Sequence, residues 1–175
     1  MKKIIVSSVI GSMLCFTAFC QKGVFSIGVG PSYGLPVSNS NFSYYWKNAL
    51  GGSMQAQIGL TKLGSIVTNV SIINSAAKNL PVTSSVTLKL IKVGYRTNFL
   101  NSGFFVGTDA GLAQYGSGSS HFVVGGTVGY TFKISKGSYI DLFPTFNNIF
   151  RTGFNKQWLI TNVIVRFDLN KKKLK

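Results

Sequence analysis

The chain has 175 residues, enough for one domain, with 45% hydrophobic side chains, 20 glycines and only 12% charged residues. A soluble domain carries about 25% charged residues, so a conventional water-facing surface is hard to build from this composition. The charge is one-sided, with 18 Lys and Arg against three acids, Asp109, Asp141 and Asp168. Apart from the Lys171–Lys173 run and Lys175, the cations are dispersed, and no RNA-binding or helix-turn-helix pattern accompanies them, which argues against nucleic acid as a partner.

Residues 1–20 read as a signal peptide. Lys2 and Lys3 form a basic start, Ile4 to Phe19 supply an apolar stretch, and Ala18-Phe19-Cys20 places a cleavage site before Gln21. The competing fate is a lipoprotein acylated on Cys20. Both cysteines, Cys15 and Cys20, fall in this segment, so a processed chain is expected to have no thiol, disulfide or cysteine–metal site. No later run of about 18 apolar residues is present, which excludes a transmembrane helix after the signal.

From Val24 onward the chain alternates. Phe25, Ile27, Val29, Pro31 and Tyr33 share one face and Ser26, Gly28, Gly30 and Ser32 the other, as in a strand. Pro31 removes a ladder donor and predicts a bulge or irregular pairing nearby. Pro36 to Asn48 reads as a polar, aromatic loop containing Tyr44, Tyr45 and Trp46. The second strand runs Leu50, Gly52, Met54, Ala56, Ile58, Leu60, and the third carries Ile66, Thr68, Val70 and Ile72 on its apolar face. Ser75 to Ser84, with Pro81, is a further polar connection. In the fourth strand Val86, Leu88 and Leu90 have one parity and Ile91, Val93 and Tyr95 the other, so a β-bulge near Leu90 is expected to restore a single apolar face.

The fifth strand places Phe104, Val106, Thr108, Ala110 and Leu112 opposite Gly107, Asp109 and Gly111. A Gly/Ser-rich loop at 114–120 leads to the clearest strand, in which Phe122, Val124, Gly126, Val128, Tyr130, Phe132 and Ile134 oppose Val123, Gly125, Thr127, Gly129, Thr131 and Lys133. The seventh strand sets Ile140, Leu142, Pro144 and Phe146 against Tyr139, Asp141, Phe143 and Thr145. After a connection at 147–157, the eighth sets Leu159, Thr161, Val163, Val165 and Phe167 against Trp158, Ile160, Asn162, Ile164 and Arg166. Eight strands with alternating long and short connections, the short ones at 61–64, 97–102 and 135–137, predict an all-β fold: an eight-stranded antiparallel up-and-down barrel over residues 21–169, followed by a basic tail at 170–175.

Such a barrel is either soluble with an apolar interior, like a lipocalin, or membrane-spanning with an apolar exterior. The quieter face is Gly, Ser, Thr, Asn and Gln with few charges, which suits a narrow lumen better than a surface in water. Aromatics group at the strand ends, Phe25, Tyr95, Phe99, Phe104, Tyr130, Phe132 and Phe167 at one and Tyr33, Tyr44, Tyr45, Trp46, Phe122 and Phe150 at the other. Two girdles flanking an apolar band point to a transmembrane barrel.

With a cleavable signal before Gln21, eight alternating segments and a last strand ending Val163-x-Val165-x-Phe167, the chain resembles the small eight-stranded outer-membrane β-barrel proteins. It is similar in plan to the OmpX and OmpA barrels and to the short barrels common in Bacteroidetes-type bacteria. The resemblance covers Gln21 to Leu169. It implies residence in the outer membrane of a Gram-negative cell, insertion by the barrel-assembly machinery, and contact with outer-membrane lipid and lipopolysaccharide. Some barrels of this class are lipid A esterases with a Ser/His/acid arrangement. Here His121 lies beside Ser119 and Ser120, but no Glu exists and the aspartates fall on other strands, so the acid that must orient the imidazole is missing.

The inward charges are more coherent. Asp109 and Asp141 share the lumen with Lys92 (or Lys89), Arg96, Lys133 and Arg166, and ion pairs across it are expected because unpaired charges there would be costly. This predicts a plugged, charge-bridged interior and a structural or envelope-interaction role without catalysis, metal or cofactor. A small pore for ions or solutes is the alternative. A glycine-lined lumen (Gly28, Gly30, Gly51, Gly59, Gly107, Gly125) suits either close packing or a narrow water path.

Overall fold

The computed structural model describes residues 23–37, 46–61, 63–78, 85–99, 102–151 and 154–169. The expected signal segment and its Cys20, the loop aromatics Tyr44 and Tyr45, Pro81 and the tail at 170–175 lie outside the described residues. Eight strands follow in order: β1 (Phe25–Pro36), β2 (Trp46–Gly59), β3 (Gly64–Ala77), β4 (Ser85–Asn98), β5 (Phe104–Tyr115), β6 (Ser120–Ser135), β7 (Ser138–Arg151) and β8 (Phe154–Asp168). Each pairs antiparallel with its neighbour in sequence and β8 pairs with β1, giving a closed barrel. Closure leaves no strand edge to aggregate.

At one end, here the turn end, short connections join β2 to β3, β4 to β5 and β6 to β7, and β1 starts and β8 finishes. The β6–β7 turn is the tightest. Ser135 pairs with Ser138, and Gly137 has a φ of 85°, a conformation that disfavours any side chain. The opposite, loop end carries the remaining connections.

The outward face is the apolar one. Ile27, Val29, Met54, Ile66, Val70, Ile91, Val93, Val106, Val128, Phe132, Leu142 and Phe167 are all exposed there. On β5 the apolar run from Phe104 to Leu112 covers nine positions. At about 3.3 Å per residue and a tilt of 35–45°, this amounts to roughly 20 Å of height, near the ~25 Å band of a membrane barrel. At the turn end Phe104 meets Tyr130 edge-on, with centroids 5.6 Å apart, and Tyr130 packs on Phe132 at 4.7 Å; at the loop end Phe122 stacks on Phe150 at 6.0 Å. Trp46 departs from the expected girdle. Register shifts between Trp46 and Ala49, and the indole packs against the buried luminal cluster.

Two local expectations are corrected and a third, at Pro31, holds. No bulge interrupts β4, which keeps one register with β3 from Ser85 to Thr97 and with β5 from Leu88 to Asn98. Leu88 and Leu90 therefore point into the lumen, where an apolar cluster receives them, and Lys89 points outward. The connection expected at 147–157 is mostly strand. Asn147 pairs with Trp158 and the ladder continues to Arg151 opposite Phe154, because Asn147 and Asn148 keep the alternation, with Ile149 inward and Phe150 outward. The pairing irregularity at Pro31 is present without a bulge. The β1–β8 ladder lapses between Val29–Val165 and Ser32–Asn162 and resumes in the same register. A second lapse lies beside Pro144, between Thr127–Thr145 and Tyr130–Leu142 on β6–β7. In both places a ring replaces an amide donor.

Candidate functional site: the barrel lumen

Every strand turns small, polar or bulky inward residues toward a common axis, and these fill it in layers. Nearest the loop end, Ala49, Ile73, Leu88, Leu90, Ala113, Val123, Ile149, Trp158 and Ile160 form a buried apolar layer, with Trp46 and Tyr115 packed on it. The Trp158 indole donates to the Tyr115 hydroxyl at 3.1 Å, so the buried ring keeps a partner for its N–H.

Below it lies a neutral hydrogen-bonded layer. The Ser32 and Ser53 hydroxyls both bond the Asn162 side-chain oxygen, at 2.7 and 3.0 Å, and the Ser53 and Ser71 hydroxyls are hydrogen-bonded at 2.6 Å. Toward the turn end the charges follow. Lys92 Nζ sits 2.9 Å from Asp109 Oδ2 and 2.6 Å from Asn147 Oδ1. Arg96 and Arg166 converge on one oxygen of Asp141, at 3.0 and 2.9 Å, while Thr131 donates to the other at 2.7 Å. Arg96 also donates to Gln57 at 2.9 Å and lies over the Phe105 ring, 3.3 Å from its centroid. Arg166 reaches on to Asp168 at 3.6 Å and to Ser26 at 3.2 Å, and Ser26 donates to Asp168 at 2.7 Å. Strands β1, β7 and β8 are thereby tied across the barrel's closing seam.

Five of the six charged residues named from the sequence, Asp109, Asp141, Lys92, Arg96 and Arg166, are thus brought together in two clusters. Lys133 is not among them. It is exposed at the turn-end mouth, next to the register shift between Lys133 and Ser135. Asp168, Gln57, Asn147, Thr131 and Ser26 are members that the sequence reading missed. Asp168 continues the inward parity of Asn162, Ile164 and Arg166 by one step.

All three acids of the chain are engaged in this network, and none reaches His121. Asp109 is four positions deeper, opposite Gly125, whereas His121 is opposite Ala113, a separation of about 13 Å along the strand. Among the described residues no carboxylate is hydrogen-bonded to His121, and no group of three or more His, Cys, Asp or Glu side chains could hold a metal.

The glycines bear on whether the lumen is open. A Cβ on Gly30 would strike the Val163 carbonyl, and one on Gly51 the Ile72 carbonyl, so these positions are occupied by neighbouring backbone. Gly125 faces the Asp109 and Asn147 side chains, and Gly129 faces Phe105 and Phe143. Among the internal spaces, one of about 20 Å³ lies between Gln55, Arg96 and Phe105 and one of about 10 Å³ between Ser53, Lys92 and Asn162. A water needs roughly 10–15 Å³, so each has room for about one.

No protein-family model matches the sequence, and no curated protein sequence matches it. Solved structures do. Neisserial surface protein A aligns with a TM-score of 0.66 at 15% identity, over 82% of this chain and 96% of its own. The outer membrane protein OprG from Pseudomonas aeruginosa gives 0.58 at 8% identity, over 85% and 97%. Ail, the attachment invasion locus protein of Yersinia pestis, gives 0.55 at 11% identity, over 84% and 100%. At these identities the likeness is one of fold, and the fold is that of the small eight-stranded outer-membrane β-barrels.

Proposed function

We propose that this chain, built on the fold of the small eight-stranded outer-membrane barrels, is an integral outer-membrane protein with a structural or envelope-interaction role and a lumen closed by its own side chains. The turn end then faces the periplasm and the loop end the outside, since such barrels have short periplasmic turns. The observation that carries the closed lumen is its filling: the apolar layer around Trp158, the Ser32–Ser53–Asn162 layer, and the two ion-pair clusters below. Conduction would require breaking paired charges and displacing Trp158 together. The missing acid beside His121 supports a role without ester hydrolysis. Lipid and lipopolysaccharide surround the apolar wall in this reading, and the barrel-assembly machinery inserts it.

Planar-bilayer recording tests the closed lumen. Purified, refolded protein is expected to give no stable unitary current. Reproducible large steps would replace this reading with that of a small pore.

A further inference from the structure

The charge is distributed unevenly over the wall. All three aspartates face inward at mid-barrel or toward the turn end, so the loop half of the described barrel carries no carboxylate side chain. On that half, Lys89 stands out from the apolar exterior, exposed, with Ile72 and Gln114 as its register partners. Gln114 is in turn opposite Ser120 on β6, also exposed. Lys89, Gln114 and Ser120 form one polar row across three strands, about 10 Å wide at the usual strand spacing.

One step deeper on the same face, Ile91, Leu112 and Phe122 form a second row in the same register, 58%, 54% and 53% exposed. The two rows are about 7 Å apart. An ammonium, an amide and a hydroxyl thus sit directly above three apolar side chains, at the level where the hydrocarbon-facing band ends. A second copy of the chain would not complement this sector, because its own outward wall offers no carboxylate in the described residues. A free anion would meet an exposed ammonium screened by water and salt. An amphiphile with a phosphate above an acyl chain meets both rows at once.

We propose that this sector of β4, β5 and β6 is a docking site for a phosphate-bearing lipid of the outer leaflet. An acyl chain lies on Ile91, Leu112 and Phe122, and the phosphate accepts from the Lys89 ammonium and the Ser120 hydroxyl. The Lys89 stem covers apolar wall while its head reaches the headgroup region. The inference rests on the membrane reading above.

Native mass spectrometry of the full chain in detergent tests it, with three probes: an acylated glucosamine disaccharide bisphosphate, the same lipid without phosphates, and inorganic phosphate. The bisphosphate lipid is expected to remain bound. Lys89→Gln weakens it about fivefold, the scale of one lysine at an anionic lipid surface. Lys89→Arg retains binding, and Lys133→Gln at the opposite mouth leaves it unchanged. Equal retention by Lys89→Gln, equal binding of the phosphate-free lipid, or displacement of the lipid by inorganic phosphate overturns the site. Gel mobility of unboiled against boiled samples separates the two levels of failure. An intact heat-modifiable barrel without selective binding removes the lipid site alone, whereas absence of the barrel form removes the membrane reading beneath it.

Discussion

Asp141→Asn removes the charge on which the lower lumen converges. Asp141 is fully buried and accepts from Arg96 at 3.0 Å, Arg166 at 2.9 Å and Thr131 at 2.7 Å. Asparagine fits the same space, so the change isolates charge from volume. It leaves two guanidinium groups facing a neutral amide, and breaking a buried pair by removing one partner costs about 3–5 kcal/mol. Arg166 keeps Asp168 at 3.6 Å and Arg96 keeps the Phe105 ring, which places the expected loss near the lower end, at about 3 kcal/mol. Urea unfolding of the vesicle-inserted barrel, followed by tryptophan fluorescence, measures it. Adding Arg96→Met to Asp141→Asn is expected to recover part of the loss, since one uncompensated cation is gone. A loss below about 1 kcal/mol, typical of an exposed pair, would refute the buried-network reasoning.

Other consequences follow from the same geometry. Asp109→Asn is expected to cost less than Asp141→Asn in the same assay, because Lys92 keeps Asn147 Oδ1 at 2.6 Å. Trp158→Ala opens the apolar layer and is expected to cost about 3–5 kcal/mol, yet to give no stable bilayer current, because the ion pairs of Asp109 and Asp141 still close the lumen below it. Gly30→Val places branched atoms against the Val163 carbonyl, so a reduced fraction of folded, heat-modifiable barrel is expected on refolding. Amide exchange measured residue by residue is expected to be fastest, among mid-barrel positions, beside Pro31 on β8 and beside Pro144 on β6, where the ladders lapse.

The strand count, the order of the strands and the outward face were legible in the sequence because a period of two is written into each segment, most plainly on β6. The parity break in β4 was misread. The alternation there holds, but the identity of the solvent on each face changes with depth. Leu88 and Leu90 are apolar and inward because the loop-end lumen is itself apolar, a fact that depends on Ile73, Ile149 and Trp158 arriving from β3, β7 and β8. Likewise Asn147 and Asn148 look like loop residues until Asn147 is seen to accept from Lys92 and donate to the Trp158 carbonyl. The charged residues could be named from parity alone, but their pairing could not. Which cation meets which aspartate depends on the stagger between strands, which brings Arg96 of β4 to Asp141 of β7 rather than to the nearer-in-sequence Asp109.

The central claim is that the apolar outward wall meets hydrocarbon. Val93 lies in the middle of that wall, 55% exposed. A nitroxide placed there through Val93→Cys, in protein reconstituted in outer-membrane lipid, reports the solvent directly. High collision with oxygen and low collision with a water-soluble nickel chelate is the predicted result. The reverse, a Val93 label relaxed by nickel as fast as one at a water-exposed loop, would contradict the account and return the chain to a soluble barrel.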